Sequence, residues 1–120
     1  MIPIQKQQTG GIVFFKTQKL DEISTFYREK IGCTLWLDQG GCHILQFENM
    51  LIGFCRRKEV DYQGMITFYY PSQEEVNQMY RQLKDIALSE PKDNPDYKIY
   101  HFFAKDPEGR AIEFQYFWED

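Results

Sequence analysis

The order strand, amphipathic helix, strands runs twice along this chain, and that repetition limits the fold more than any single residue does. Gly11 to Lys16 (GIVFFK) is an apolar, β-rich run after a Gly-Gly break. Leu20, Ile23, Phe26, Tyr27 and Ile31 then recur at steps of three and four, which is one stripe of a helix. Gly32 follows where a helix C-terminal glycine belongs. Three short strands are predicted next, Cys33 to Leu37, His43 to Phe47 and Leu51 to Arg56, divided by the turn-type sequences Asp38-Gln39-Gly40-Gly41 and Glu48-Asn49. Gly64 opens the second copy with Met65 to Tyr70, which Pro71-Ser72 stops. Ser72 and Glu75 form a capping box, in which the hydroxyl accepts from a free backbone N–H and the carboxylate reaches back to another. The helix behind it carries Val76, Met79, Tyr80, Leu83 and Ile86 on one stripe. A polar loop from Ser89 to Asp96 leads to the strands Lys98 to Ala104 and Ala111 to Phe117, joined by the turn Asp106-Pro107-Glu108-Gly109. One strand of this half is weak, placed at Ala87 to Glu90 or lost in the loop.

Two copies of roughly fifty residues are too few for a stacked solenoid. They predict an α+β fold of two β-α-β-β-β modules, about residues 11–57 and 64–117, within one domain spanning 1–120. Each module is expected to be a curled antiparallel sheet with its helix on the convex side. The chain has 120 residues, enough for one core, and its aromatic share is 17%. Aromatic residues favour strands and also line small-molecule pockets, and both uses fit here.

Charge excludes some partners. Lys and Arg number 14 against 18 Asp and Glu, and the one dense basic run, Arg56-Arg57-Lys58, is followed by Glu59 and Asp61. A duplex-binding surface needs a basic stripe, so no nucleic-acid partner is expected. No run approaches the ~18 apolar residues of a membrane helix. Met1 to Gly11 lacks an apolar signal core, so a cytoplasmic location is expected. Cys33, Cys42 and Cys55 show no CxxC spacing and read as reduced thiols, neither a disulfide frame nor a zinc cluster.

Two segments carry a resemblance. LDEISTFYREKIG at Leu20 to Gly32 is similar to a D-L-x-x-S-x-x-F-Y-x-x-x-L-G helix, with Lys19 in place of the acidic cap. FFAKDPEGRAIEFQ at Phe102 to Gln115 is an aromatic strand, a DP-x-G turn and a strand reading I-E-F. In this order and at this separation, the span Gly11 to Phe117 resembles the vicinal oxygen chelate superfamily of glyoxalases, bleomycin-resistance proteins and dioxygenases. The resemblance implies a glyoxalase/bleomycin-resistance-like fold whose sheets curl around a ligand-sized cavity, and assembly as a homodimer.

In metal-dependent members the ligands are His, Gln or Glu on the first and last strands of each half. Carried over, those positions fall on Ile12, Met65, Gly53 or its neighbour Phe54, and Glu113, of which only Glu113 can bind metal. A hard cation needs several oxygen or nitrogen donors. The expectation is therefore no metal and no cofactor, with one divalent ion in a displaced site using His43 or His101 as the alternative. With a four-residue turn, Lys105 pairs with Arg110 and Phe102 with Glu113, so His101 is expected to face Phe114 and point away from Glu113. A one-residue slip would reverse this. The face of His43 stays open.

The same geometry puts Ile12, Phe14 and Lys16, Met65, Thr67 and Tyr69, and Glu113, Gln115 and Phe117 on the cavity side, with Trp36 and Arg56 at its rim. Val13, Phe15, Ile66, Phe68, Ile112 and Phe114 are expected under the helices. Phe14, Trp36, Arg56, Met65, Thr67, Tyr69, Glu113, Gln115 and Phe117 are the candidate ligand-binding residues. Glu113 is the candidate catalytic residue, as a general base or as an anchor for a ligand's amine or hydroxyl. The implied function is binding of an aromatic or amphipathic small molecule, of the sequestration or resistance type. The alternative is a lyase, isomerase or dioxygenase, and the residues leave open whether the chain is an enzyme.

Overall fold

The computed structural model describes residues 1–118. The chain forms two compact units that divide between Asp61 and Tyr62. The first contains β1 (Ile12–Thr17), α1 (Leu20–Phe26), β2 (Thr34–Asp38), β3 (Cys42–Phe47) and β4 (Met50–Arg56). The second contains β5 (Ile66–Tyr69), α2 (Gln73–Gln82), β6 (Lys92–Asn94), β7 (Ile99–Lys105) and β8 (Ala111–Phe117). Each unit is one four-stranded sheet, ordered β1-β4-β3-β2 and β5-β8-β7-β6. The β-α-β-β-β repeat is therefore present in both halves.

The sheets are mixed, which corrects the antiparallel expectation in one pair of each. β1 runs parallel to β4, and β5 parallel to β8. A helix and two strands intervene between the members of each pair, reversing the chain an even number of times.

Each helix lies on one face of its own sheet, where the aromatic residues form the core. In the first unit Phe54 stacks on Tyr27 and Phe15, with centroids 4.9 and 5.8 Å away. In the second, Phe114 stacks on Phe102 and Phe68 at 4.9 and 5.5 Å. Ile66, Phe68, Ile112 and Phe114 are buried as expected, whereas Val13 is 59% exposed. The first helix is regular only to Phe26 and widens into a π-type turn over Tyr27–Ile31. Gly32 then takes φ 100°, the left-handed C-terminal position. Its start has no side-chain cap from Lys19; Thr17 Oγ1 instead accepts the Lys19 N–H at 3.0 Å. α2 begins as expected at Ser72, whose Oγ accepts the Glu75 N–H at 3.2 Å. The Glu75 carboxylate returns to the Ser72 hydroxyl at 2.8 Å rather than to a backbone N–H.

The weak strand of the second half is β6, three polar residues paired antiparallel with β7. Lys-Asp-Asn has no apolar alternation, so periodicity cannot reveal it, and a short charged strand suits a sheet edge.

Two further expectations are overturned. Cys42 and Cys55 are joined in a disulfide, leaving Cys33 as a buried thiol. Thirteen residues separate them in sequence, but the β3–β4 register sets them directly opposite one another. The reading of all three cysteines as reduced thiols therefore fails for this pair. The hairpin before β8 is also one residue longer than its turn sequence suggests. Lys105 pairs with Ala111, and the Asp106 N–H bonds the Arg110 carbonyl at 2.9 Å. The cause is Arg110, which the loop swallows. Its guanidinium is buried against Asp106 and Glu108, both at 3.0 Å.

Candidate functional site

That extra loop residue decides which side chains meet. With Phe103 opposite Glu113 and His101 opposite Gln115, the faces of β7 are exchanged relative to the expected register. His101 consequently points toward Glu113, and its Nδ1 lies 2.7 Å from Oε2. On the other side Thr67, paired with Glu113 across β5 and β8, donates its hydroxyl to Oε1 at 2.8 Å. Both carboxylate oxygens are thus engaged, at a group only 5% exposed.

This row lies on the sheet face opposite α2. Alternation along the strands puts Tyr69, Gln115, Phe117 and Phe103 on the same face. Tyr69 and Phe117 meet edge to face at 5.8 Å, and Phe103 meets the His101 ring at 5.0 Å. His101 and Gln115 are 6% and 8% exposed. Among the described residues nothing hydrogen-bonds His101 Nε2 or the Gln115 side-chain amide. Neither group is fully enclosed, so both reach solvent from this face of the sheet and are open to a ligand.

The candidate residues therefore divide. Thr67, Tyr69, Glu113, Gln115 and Phe117 come together on one face of the second sheet, and half-exposed Met65 precedes the strand that begins it. Phe14, Trp36 and Arg56 belong to the first unit and have other surroundings there. Phe14 lies over Gly53, its partner on β4, so closely that a Cβ at Gly53 would fall 2.3 Å from the ring. Trp36 donates from Nε1 to the Ile4 carbonyl at 2.6 Å, beneath Lys6. These residues line a cavity of about 600 Å³ under the N-terminal segment. Arg56 is exposed and sits 3.9 Å from Asp21 on α1.

His101 and Phe103 were missed because the turn sequence alone gave the wrong register. His43, of open face, points toward α1: Nδ1 is 2.8 Å from Ser24 Oγ and Nε2 3.5 Å from Asp38. The two histidines are apart in use, one packed under a helix and one beside the carboxylate.

Comparing the units by register sharpens the contrast. Phe15 opposite Phe54 corresponds to Phe68 opposite Phe114. Phe14 over Gly53 then occupies the position of Thr67 beside Glu113, and the Cys42–Cys55 disulfide that of His101 and Gln115. One half has an apolar, cross-linked face where the other has a polar row. Of the four carried-over ligand positions, the one on Gly53 or Phe54 is covered by a neighbour's ring at Gly53 and faces the helix at Phe54, Ile12 and Met65 offer no hard donor, and Glu113 is left as the fourth. Among the described residues, no group of three or more His, Cys, Asp or Glu is placed to hold a metal ion.

The architecture defines a class. No protein-family model and no curated protein matches the sequence. Solved structures do match. A glyoxalase/bleomycin resistance protein/dioxygenase from Nocardioides shares 18% identity over 97% of this chain and 87% of its own, with a TM-score of 0.74. A lactoylglutathione lyase from Agrobacterium tumefaciens shares 17% over 93% and 96%, with a TM-score of 0.73. An integron cassette protein from the mobile metagenome of the Halifax Harbour sewage outfall shares 21% over 91% and 98%, with a TM-score of 0.77. This chain has the fold of the glyoxalase/bleomycin-resistance/dioxygenase proteins, the vicinal oxygen chelate fold. Among the described residues no helix is long and apolar enough to cross a membrane.

Proposed function

We propose that this chain binds a small aromatic or amphipathic molecule on the Glu113 face of its second sheet, without a metal ion, in the manner of a sequestering or resistance protein. The observation that carries this reading is the buried row Thr67–Glu113–His101–Gln115, which leaves an imidazole nitrogen and an amide without partners beside three aromatic rings. A few converging polar groups among aromatic side chains are what small-molecule sites use for orientation. Glu113 acts here through His101 and Thr67, since both its oxygens are already occupied. The working form is a homodimer; Met65, Tyr69 and Phe117 of the second unit, each between 47% and 63% exposed, supply apolar area for the ligand or the partner copy.

A thermal-shift screen of aromatic metabolites and antibiotics tests this, because a ligand that prefers the native state raises apparent stability. A hit should lose affinity in Gln115→Ala and His101→Gln. The second reading is a metal-dependent lyase, isomerase or dioxygenase. It draws on one observation, that His101 Nδ1 lies 2.7 Å from the Glu113 carboxylate, the contact that the second nitrogen of a metal-bound imidazole commonly makes. Calorimetry with Mn²⁺, Ni²⁺, Zn²⁺ and Fe²⁺ separates the two: stoichiometric binding at low micromolar affinity would sink the metal-free reading. Light scattering after size exclusion checks the dimer, which a monomer mass would contradict.

A further inference from the structure

The polar row also says what kind of molecule it suits, an inference that rests on the binding reading above. An ionised carboxylate only accepts hydrogen bonds. Glu113 accepts Thr67 Oγ–H at Oε1, so the 2.7 Å contact at Oε2 requires the proton on His101 Nδ1. A neutral imidazole held in this way presents its lone pair at Nε2. Nothing among the described residues donates to that lone pair, in a ring only 6% exposed.

We propose that His101 Nε2 is the proton acceptor for the acidic hydroxyl of a phenol-type ligand, with Glu113 and Thr67 as positioning residues. On binding, the O–H bond breaks and its electron pair stays on the phenolic oxygen. The proton forms a new N–H at Nε2. The imidazolium is balanced through Nδ1–H by the Glu113 carboxylate, the same logic that stabilises a protonated histidine in hydrolase triads. No oxidant or further reactant is consumed, and release reverses the transfer.

The surroundings select this class. The Tyr69–Phe117 pair and Phe103 offer edges and faces to an aromatic ring. The charged or titratable groups on this face of the sheet are Glu113 on β8, Lys92 on β6, Lys105 at the end of β7 and Tyr69 on β5. Lys92 stands directly opposite His101, so a cationic amine meets a like charge there and a phenolate an opposite one. A carboxylic acid arrives already ionised at neutral pH and brings no proton to the lone pair.

The test uses 4-nitrophenol, whose phenolate absorbs visibly, titrated into chelator-treated full-length protein in a buffer acidic enough that the free probe is colourless. The expected result is saturable formation of the phenolate band. His101→Gln should abolish the band. Glu113→Gln keeps the shape of the side chain and should weaken it about tenfold or more, as loss of a charge-assisted hydrogen bond does. Colourless binding, a band that survives His101→Gln, or no binding of the probe overturns the proposal. If the probe fails while the screen finds ligands that depend on Gln115 or His101, proton acceptance falls and the binding reading stands. If neither binds, both fall.

Discussion

Replacing Asp106 by Ala should destabilise the protein by about 3–5 kcal/mol, the range seen when one partner of a buried ion pair is removed. The structure shows why the upper range applies. Arg110 is 2% exposed, and its Nη1 lies 3.0 Å from Asp106 Oδ2. The other oxygen accepts the backbone N–H groups of Glu108 and Arg110 at 2.9 and 3.0 Å, so the same deletion unties the loop. Burial works against the Arg110 charge, but Asp106 and then Glu108 outweigh it and hold the guanidinium above its ordinary range. Glu108 remains in the variant and keeps the loss from growing further. Asp106→Asn still accepts both N–H groups and should cost less, about 1–3 kcal/mol for the charged bond alone. Equilibrium urea unfolding gives both values, with an unchanged slope if only stability has moved. For a chain whose total stability is of order 5–15 kcal/mol, the Ala variant sits near the edge of folding. A loss below about 1 kcal/mol for Ala, or equal losses for Ala and Asn, would refute the reasoning. The consequence reaches the site, because this loop fixes the register that brings His101 to Glu113.

Gly53→Ala places a Cβ where the Phe14 ring now lies, 2.3 Å from Cδ1. Phe14 is half exposed and free to swing out, and Ala suits a strand better than Gly by about 0.5–1 kcal/mol, so the net change should stay within about 1 kcal/mol. A much larger drop in the urea midpoint would show that the ring cannot leave its seat. A thiol reagent applied to denatured, unreduced protein should titrate Cys33 alone, and all three cysteines only after reduction. Burial pushes the Cys33 thiol up from 9.0 to about 12, so the folded state keeps a proton that the unfolded chain releases. Its stabilising contribution is complete below pH 9.0 and is lost as pH rises toward about 12, at up to about 1.4 kcal/mol per unit. Cys33→Ala should remove that part of the alkaline slope, and an unchanged slope would contradict the assignment.

The repeat was legible because both helices and most strands carry their periodicity openly. The apolar stripe at Leu20, Ile23 and Tyr27 and the alternation along Ala111–Phe117 each have one reading. Alternation also put Thr67, Tyr69, Glu113, Gln115 and Phe117 on one face, where the structure has them. What stayed hidden depends on partners distant in sequence. β6 has no pattern of its own and exists because β7 offers it an edge. The disulfide follows from a register, and thirteen residues of separation do not announce it. His101 was lost through one residue: DPEG reads as a complete turn, while burial of Arg110 with Asp106 draws a fifth residue into the loop. An arginine directly after such a turn, with two acidic residues inside it, is the signal that could have found it.

The central claim is that Glu113 fixes His101 with Nδ1 protonated and Nε2 turned to a ligand, and no ligand is needed to test it. Long-range proton–nitrogen correlation NMR on ¹⁵N-histidine-labelled protein, in buffer well above the ordinary imidazole range, reports which ring nitrogen carries the proton. The account predicts the Nδ1–H tautomer for His101, shifting toward a mixture in Glu113→Gln. Protonated Nε2 and bare Nδ1 in the native protein would contradict it.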